Sequence, residues 1–127
     1  MPAEQGLRVK RVAEGVREEL ATLVSREVKD PRAAGAVVTR VEMTGDLRSA
    51  KVWVRLLEAT DDVARRQEIV DALTRASGML RREVTQRLAL RNAPTLRFLY
   101  DEGLERSTRV DQLLAEIEIE RRNRGER

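Results

Sequence analysis

Apolar residues recur every three or four positions over residues 7–29, then every second position over 37–43 and 50–56. A helix repeats at 3.6 residues and a strand at 2.0, so one chain carrying both periods must build helices and sheet together. In the first stretch Val9, Val12, Ala13, Val16, Leu20, Leu23, Val24 and Val28 form one helical face. Asp30-Pro31 stops it, because the residue before proline avoids the helical region. In the second, Val37, Thr39, Val41 and Met43 share one face and Arg40 and Glu42 the other. In the third, Ala50, Val52, Val54 and Leu56 oppose Lys51, Trp53 and Arg55. Thr44-Gly45-Asp46-Leu47 between them is turn chemistry, so the two strands read as an antiparallel hairpin.

The remainder follows the same logic. Asp61 or Asp62 caps a helix whose apolar side is Val63, Ile69, Val70 and Leu73. That helix runs to Ala76-Ser77-Gly78 and resumes over 79–91 with Leu80, Val84 and Leu88 in register. Glycine inside a helix costs up to about 1 kcal/mol relative to alanine, so Gly78 marks either a break or a close backbone approach. Ala93-Pro94 ends the segment. Residues 95–100 alternate as a third strand, with Leu96, Phe98 and Tyr100 on the core side. A last helix over 104–118 carries Val110, Leu113, Leu114 and Ile117 on one face. The expected fold class is α+β: a three-stranded sheet covered by helices in two layers, in the order α-β-β-α-kink-α-β-α. Residues 1–6 are expected to be loose, 7–118 to form one domain, and 119–127 to be a charged, disordered tail.

Composition removes whole classes of function. The 127 residues contain no Cys and no His, which excludes disulfides, thiol nucleophiles, thiolate metal sites and the commonest general base. No metal or cofactor is expected. No apolar run is long enough for a membrane span, and no apolar leader opens the chain, so a cytoplasmic protein without a membrane partner is expected. Net charge is only +3, but its distribution is uneven. Between positions 75 and 91 stand Arg75, Arg81, Arg82, Arg87 and Arg91 against Glu83 alone, whereas 101–120 hold seven acids against Arg106 and Arg109. A basic centre beside an acidic C-terminal stretch points to a nucleic-acid face.

The element order, with two helices meeting at Ala76-Ser77-Gly78, resembles the type II KH architecture. Ordinary KH domains place a GxxG loop there to clamp the nucleic-acid backbone. This chain has no GxxG and carries Ala-x-Gly instead. That departure resembles the ribosome-binding factor A family, in which a kink replaces the loop. Val9-Lys10-Arg11-Val12-Ala13-Glu14, Asp30-Pro31-Arg32, Ala50-Lys51-Val52-Trp53-Val54, Leu80-Arg81-Arg82-Glu83, Pro94-Thr95-Leu96-Arg97-Phe98 and Arg109-Val110-Asp111 are similar to the family's segments, in order, over residues 7–115. The resemblance implies association with the free small (30S) ribosomal subunit, a part in late 16S rRNA processing and assembly, support of growth in the cold, and no catalysis.

The RNA-binding residues expected on this basis are Arg75, Ala76, Ser77, Gly78, Arg81, Arg82, Arg87, Arg91, Lys51 and Arg55. Helical spacing turns Arg81 and Arg82 away from the apolar stripe, which favours phosphate contact. Arg87 and Arg91 flank the stripe and stand equally as core-edge residues. Trp53, between Lys51 and Arg55, reads either as a base-stacking platform or, more commonly, as an aromatic packed on its cross-strand neighbour. Partners are then the small subunit and its rRNA, with no small-molecule substrate and a monomeric protein. The alternatives are a general KH-like RNA binder, or a protein-interaction module using the acidic last helix.

Overall fold

The computed structural model describes residues 3–125, with side chains for 6–103 and 113–125. Its elements are α1 (Ala3–Arg26), a single 3-10 turn (Pro31–Ala33), β1 (Ala36–Met43), β2 (Ser49–Leu56), α2 (Val63–Arg75), α3 (Ser77–Arg87), β3 (Thr95–Tyr100) and α4 (Glu102–Asn123). The sheet order is β1-β2-β3. β1 pairs antiparallel with β2, and β3 runs parallel to β2 after the α2–α3 crossover. This is the expected α+β, KH-like arrangement, with one mixed sheet under a layer of helices.

Three local signals set the joints. Asp30 Oδ1 accepts from Arg32 N at 3.0 Å, and Pro31 supplies the first residue of the 3-10 turn. Gly35, at φ +82°, then reverses the chain into β1, a conformation that side chains with a Cβ resist. Asp62, rather than Asp61, caps α2, accepting from Ala64 N at 3.0 Å and Arg65 N at 3.3 Å.

The core lies between the helices and one face of the sheet. Val16, Leu20 and Leu23 of α1, Ile69 and Leu73 of α2, and Leu80 and Val84 of α3 are fully buried and share one core cluster with Val52 and Val54 of β2. Leu96 and Phe98 extend this layer along β3. Each such side chain contributes about 1.5–3 kcal/mol by leaving water.

The expected faces of β1 are corrected. Val38 pairs with Val54, yet Arg40 pairs with Trp53, so one extra residue is inserted at Thr39. The bulge inverts the alternation. Ala36, Val38, Val41 and Met43 therefore oppose the core residues of β2, whereas Val37 opposes Arg55 on the far face.

The end of α3 is also corrected, from residue 91 to Arg87. Leu90 N donates to Thr85 O at 3.0 Å and Ala89 N to Gln86 O at 3.3 Å. That pair of bonds closes a helix through a left-handed residue, here Ala89 at φ +51°. α1 starts before the periodic stretch, and α4 continues through Asn123. Leu113, Leu114 and Ile117 of α4 are exposed, while the Val110 side chain lies outside the described residues.

Candidate nucleic-acid interface

α2 and α3 are separated by one residue. Ala76, at φ −83° and ψ −2°, is the turn, and helical hydrogen bonding continues on both sides of it. Ala76 N donates to Ala72 O at 3.2 Å, and Leu80 N donates to Ala76 O at 3.0 Å. The junction is a kink, not a loop. Ala76 and Ser77 are half-buried, whereas Gly78 is exposed and a Cβ built on it would meet nothing within 4 Å. Of the two meanings open for Gly78, the break belongs to Ala76. Gly78 itself contributes bare backbone at the surface, where a ligand can approach closely.

The arginines around this kink divide by what they already hold. Arg75 ends α2 and reaches Asp30 Oδ2 at 3.4 Å. Asp30 is in turn gripped by Arg32, Nε to Oδ1 at 3.0 Å and Nη2 to Oδ2 at 3.1 Å. The Arg32 side chain, its backbone N–H and then Arg75 hold the Asp30 carboxyl down at about 2. Arg81 turns inward: Nε donates to Pro94 O at 2.9 Å and Nη2 to Ala93 O at 3.1 Å. Arg87 bridges to Glu19 of α1 at 3.3 Å and to Glu83 at 3.6 Å. Arg82 and Arg91 are exposed and make no ion pair or side-chain hydrogen bond among the described residues.

Lys51 and Arg55 are not part of this surface. They project from β2 opposite to Val52 and Val54, on the sheet face away from the helices. Arg55 Nη1 donates to Leu56 O at 3.0 Å, which ties its head to the strand end. The Arg40 guanidinium lies 3.9 Å from the centre of the Trp53 ring. Trp53 thus packs on its cross-strand neighbour, and a cation covers the ring as in other cation–π pairs. The ten expected residues therefore fall on two faces: the kink cluster with α3, and the open sheet.

Sequence reasoning passed over Arg8 and Arg48. Arg48 stands alone in the β1–β2 turn, whereas Arg8 stands with Lys10 and Arg11 at the start of α1, a cluster read above only for its family resemblance. Only the fold brings them beside Arg91.

The profile of the family described as ribosome-binding factor A matches residues 8–114. The chain belongs to the ribosome-binding factor A family. A ribosome-binding factor A of Sorangium cellulosum (strain So ce56) is 50% identical over 110 residues, which is 87% of this chain and 88% of that protein. One from Aromatoleum aromaticum (strain DSM 19018 / LMG 30748 / EbN1) is 43% identical over 117 residues, or 92% and 89% of the two chains. The crystal structure of ribosome-binding factor A from Thermus thermophilus shares the fold, with a TM-score of 0.62 at 23% identity, covering 72% of this chain and 94% of that one. The family match spans α1 through β3, so the kink and every described arginine of α2 and α3 lie inside the ribosome-binding factor A region.

Proposed function

We propose that this protein binds the free small (30S) ribosomal subunit in the cytoplasm and assists late maturation of its 16S rRNA by binding alone. Family membership carries the reading, together with bare backbone at Gly78 beside the unpaired Arg82. In it, residues 7–118 act as one RNA-binding monomer. Ala76, Ser77 and Gly78 admit the rRNA backbone, and Arg82 and Arg75 meet phosphates. Arg81 and Arg87 keep α3 in place for them. Binding one rRNA conformation better than another shifts their equilibrium by the difference in affinity, so no chemistry and no small molecule is required. Support of growth in the cold follows if misfolded rRNA states persist longest there.

The test is co-sedimentation with purified small subunits, large subunits and whole ribosomes across a salt series, repeated with Arg82→Glu. Binding to free small subunits that weakens with salt and with charge reversal supports the reading. Binding without preference for the small subunit rejects it.

A second reading has one observation in its favour. Leu113, Leu114, Ile117 and Ile119 are exposed on α4 among Glu116, Glu118 and Glu120, which suits a protein partner. Leu114→Glu/Ile117→Glu on the exposed face of α4 separates the two: an RNA-binding role survives it, and an α4-docking role does not.

A further inference from the structure

At the far end of α3 from the kink, three chain segments enclose a groove of about 690 Å³. Its walls are the start of α1, the β1–β2 turn and the α3–β3 loop, and each contributes one arginine: Arg8, Arg48 and Arg91. Leu88, the first lining residue after α3, is ten residues beyond Gly78, which at 1.5 Å per residue sets this groove about 15 Å from it along the helix axis.

None of the three arginines makes an ion pair or side-chain hydrogen bond among the described residues. The one acid in the lining is Asp46. Its carboxylate already accepts from the Thr44 hydroxyl at 2.6 Å and from Arg48 N at 3.0 Å. Three arginines against the single carboxylate of Asp46, which attracts Arg48, leave the lining net positive, and a concave surface of one net sign favours an anion. Guanidinium groups suit phosphate oxygens in particular, because their planar fork can donate twice to one group.

The walls are also fixed in advance. Leu47 at φ +60° and Ala89 at φ +51° are the two non-glycine residues with left-handed backbone among those described, and both line this groove. Such a conformation is strained for a residue with a Cβ. Here it is held by packing: Leu47, Leu88 and Leu90 lean on the core. Thr95 N donates to Arg48 O at 2.8 Å, which locks the hairpin turn to the start of β3. Arg48 and Arg91 thus sit on backbone that needs no ordering on binding, and preordered groups bind at lower entropic cost.

We propose that this groove is a second RNA site, in which Arg8, Arg48 and Arg91 hold a phosphodiester segment of the rRNA that meets the kink. The identity of that RNA rests on the ribosomal reading above; the groove's preference for a phosphodiester does not.

The test uses the full chain with two probes, purified small subunits and protein-free 16S rRNA, each across a salt series. Arg48→Glu/Arg91→Glu is compared with wild type and with Arg82→Glu, and all are checked by thermal melting. Arg48→Ala/Arg91→Ala serves where the reversed pair melts early. Expected is a loss of roughly tenfold or more on both probes, with the slope of log affinity against log salt reduced by about two. Wild-type affinity and slope in the groove variant, with Arg82→Glu weakened, overturns the groove and leaves the ribosomal reading standing. A loss on subunits with none on protein-free rRNA assigns the groove to a ribosomal protein and overturns the RNA site. Groove-dependent binding of rRNA without preference for small subunits supports the groove and removes the ribosomal reading instead.

Discussion

Arg81 Nε donates to the Pro94 carbonyl at 2.9 Å, and this bond divides Arg81 from Arg82 although the two are adjacent in sequence. Arg81 also holds Ala93 O, so it fastens α3 to the strand that follows. Arg82 points to solvent. Arg81→Ala is expected to cost about 1–3 kcal/mol, because two carbonyls lose a charged donor. Arg82→Ala is expected to leave stability within about 0.5 kcal/mol, as exposed substitutions do, while weakening subunit binding. Urea unfolding and co-sedimentation of both variants check this. Equal stability of the two would contradict the role given to Arg81.

Gly78 is the next case where fold and function separate. It lies inside α3, with open space where a Cβ would stand. Gly78→Ala is therefore expected to hold or raise stability, by up to about 1 kcal/mol from helix propensity. The same methyl group intrudes where an RNA backbone would lie, and roughly tenfold weaker binding corresponds to about 1.4 kcal/mol. A melting curve and a subunit titration on one preparation decide the matter. Full affinity in a stable variant would take Gly78 out of the interface.

Much of this fold was legible because β2 and β3 keep strict alternation: Val52, Val54, Leu96 and Phe98 are buried as their parity requires. β1 was not, because the extra residue at Thr39 inverts parity without a glycine or proline to announce it. Nor was the end of α3 legible, since alanine occupies the left-handed position where glycine would have been the signal. The interface was half legible. Five arginines over 75–91 read as one patch, but helix geometry and Asp30, Glu19, Glu83 and two loop carbonyls engage Arg75, Arg81 and Arg87. Convergence of Arg8, Arg48 and Arg91 depends on tertiary contacts that no local pattern encodes.

Asp30 predicts an acid-side loss of stability. Arg32 above all, then Arg75, keep its folded-state value at about 2, below the ordinary 3.8. A depressed carboxylate favours the folded state fully above its unfolded value, and that contribution fades as pH falls from about 4 towards 2. Asp30→Asn retains a capping oxygen but has no charge to lose. Urea midpoints at pH 5, 4, 3 and 2.5 should therefore fall more steeply for wild type than for Asp30→Asn. Parallel curves would mean that the Arg32–Asp30–Arg75 cluster gives nothing to the fold.

Ala89 makes the opposite kind of prediction, a substitution that improves the fold. It sits at φ +51° just past α3, where its N–H closes on Gln86 O. A Cβ is strained there and a glycine is not. Glycine also adds freedom to the unfolded chain, worth about 0.4–1 kcal/mol against the change, but relief of the left-handed strain is larger. Ala89→Gly is expected to raise stability by about 0.5–1 kcal/mol, with Gly35→Ala at φ +82° moving the other way. Urea midpoints of the two variants check both signs. A lower midpoint for Ala89→Gly would show that the loop before Arg91 is held by Leu88 and Leu90 packing so firmly that the strain at Ala89 no longer decides its stability.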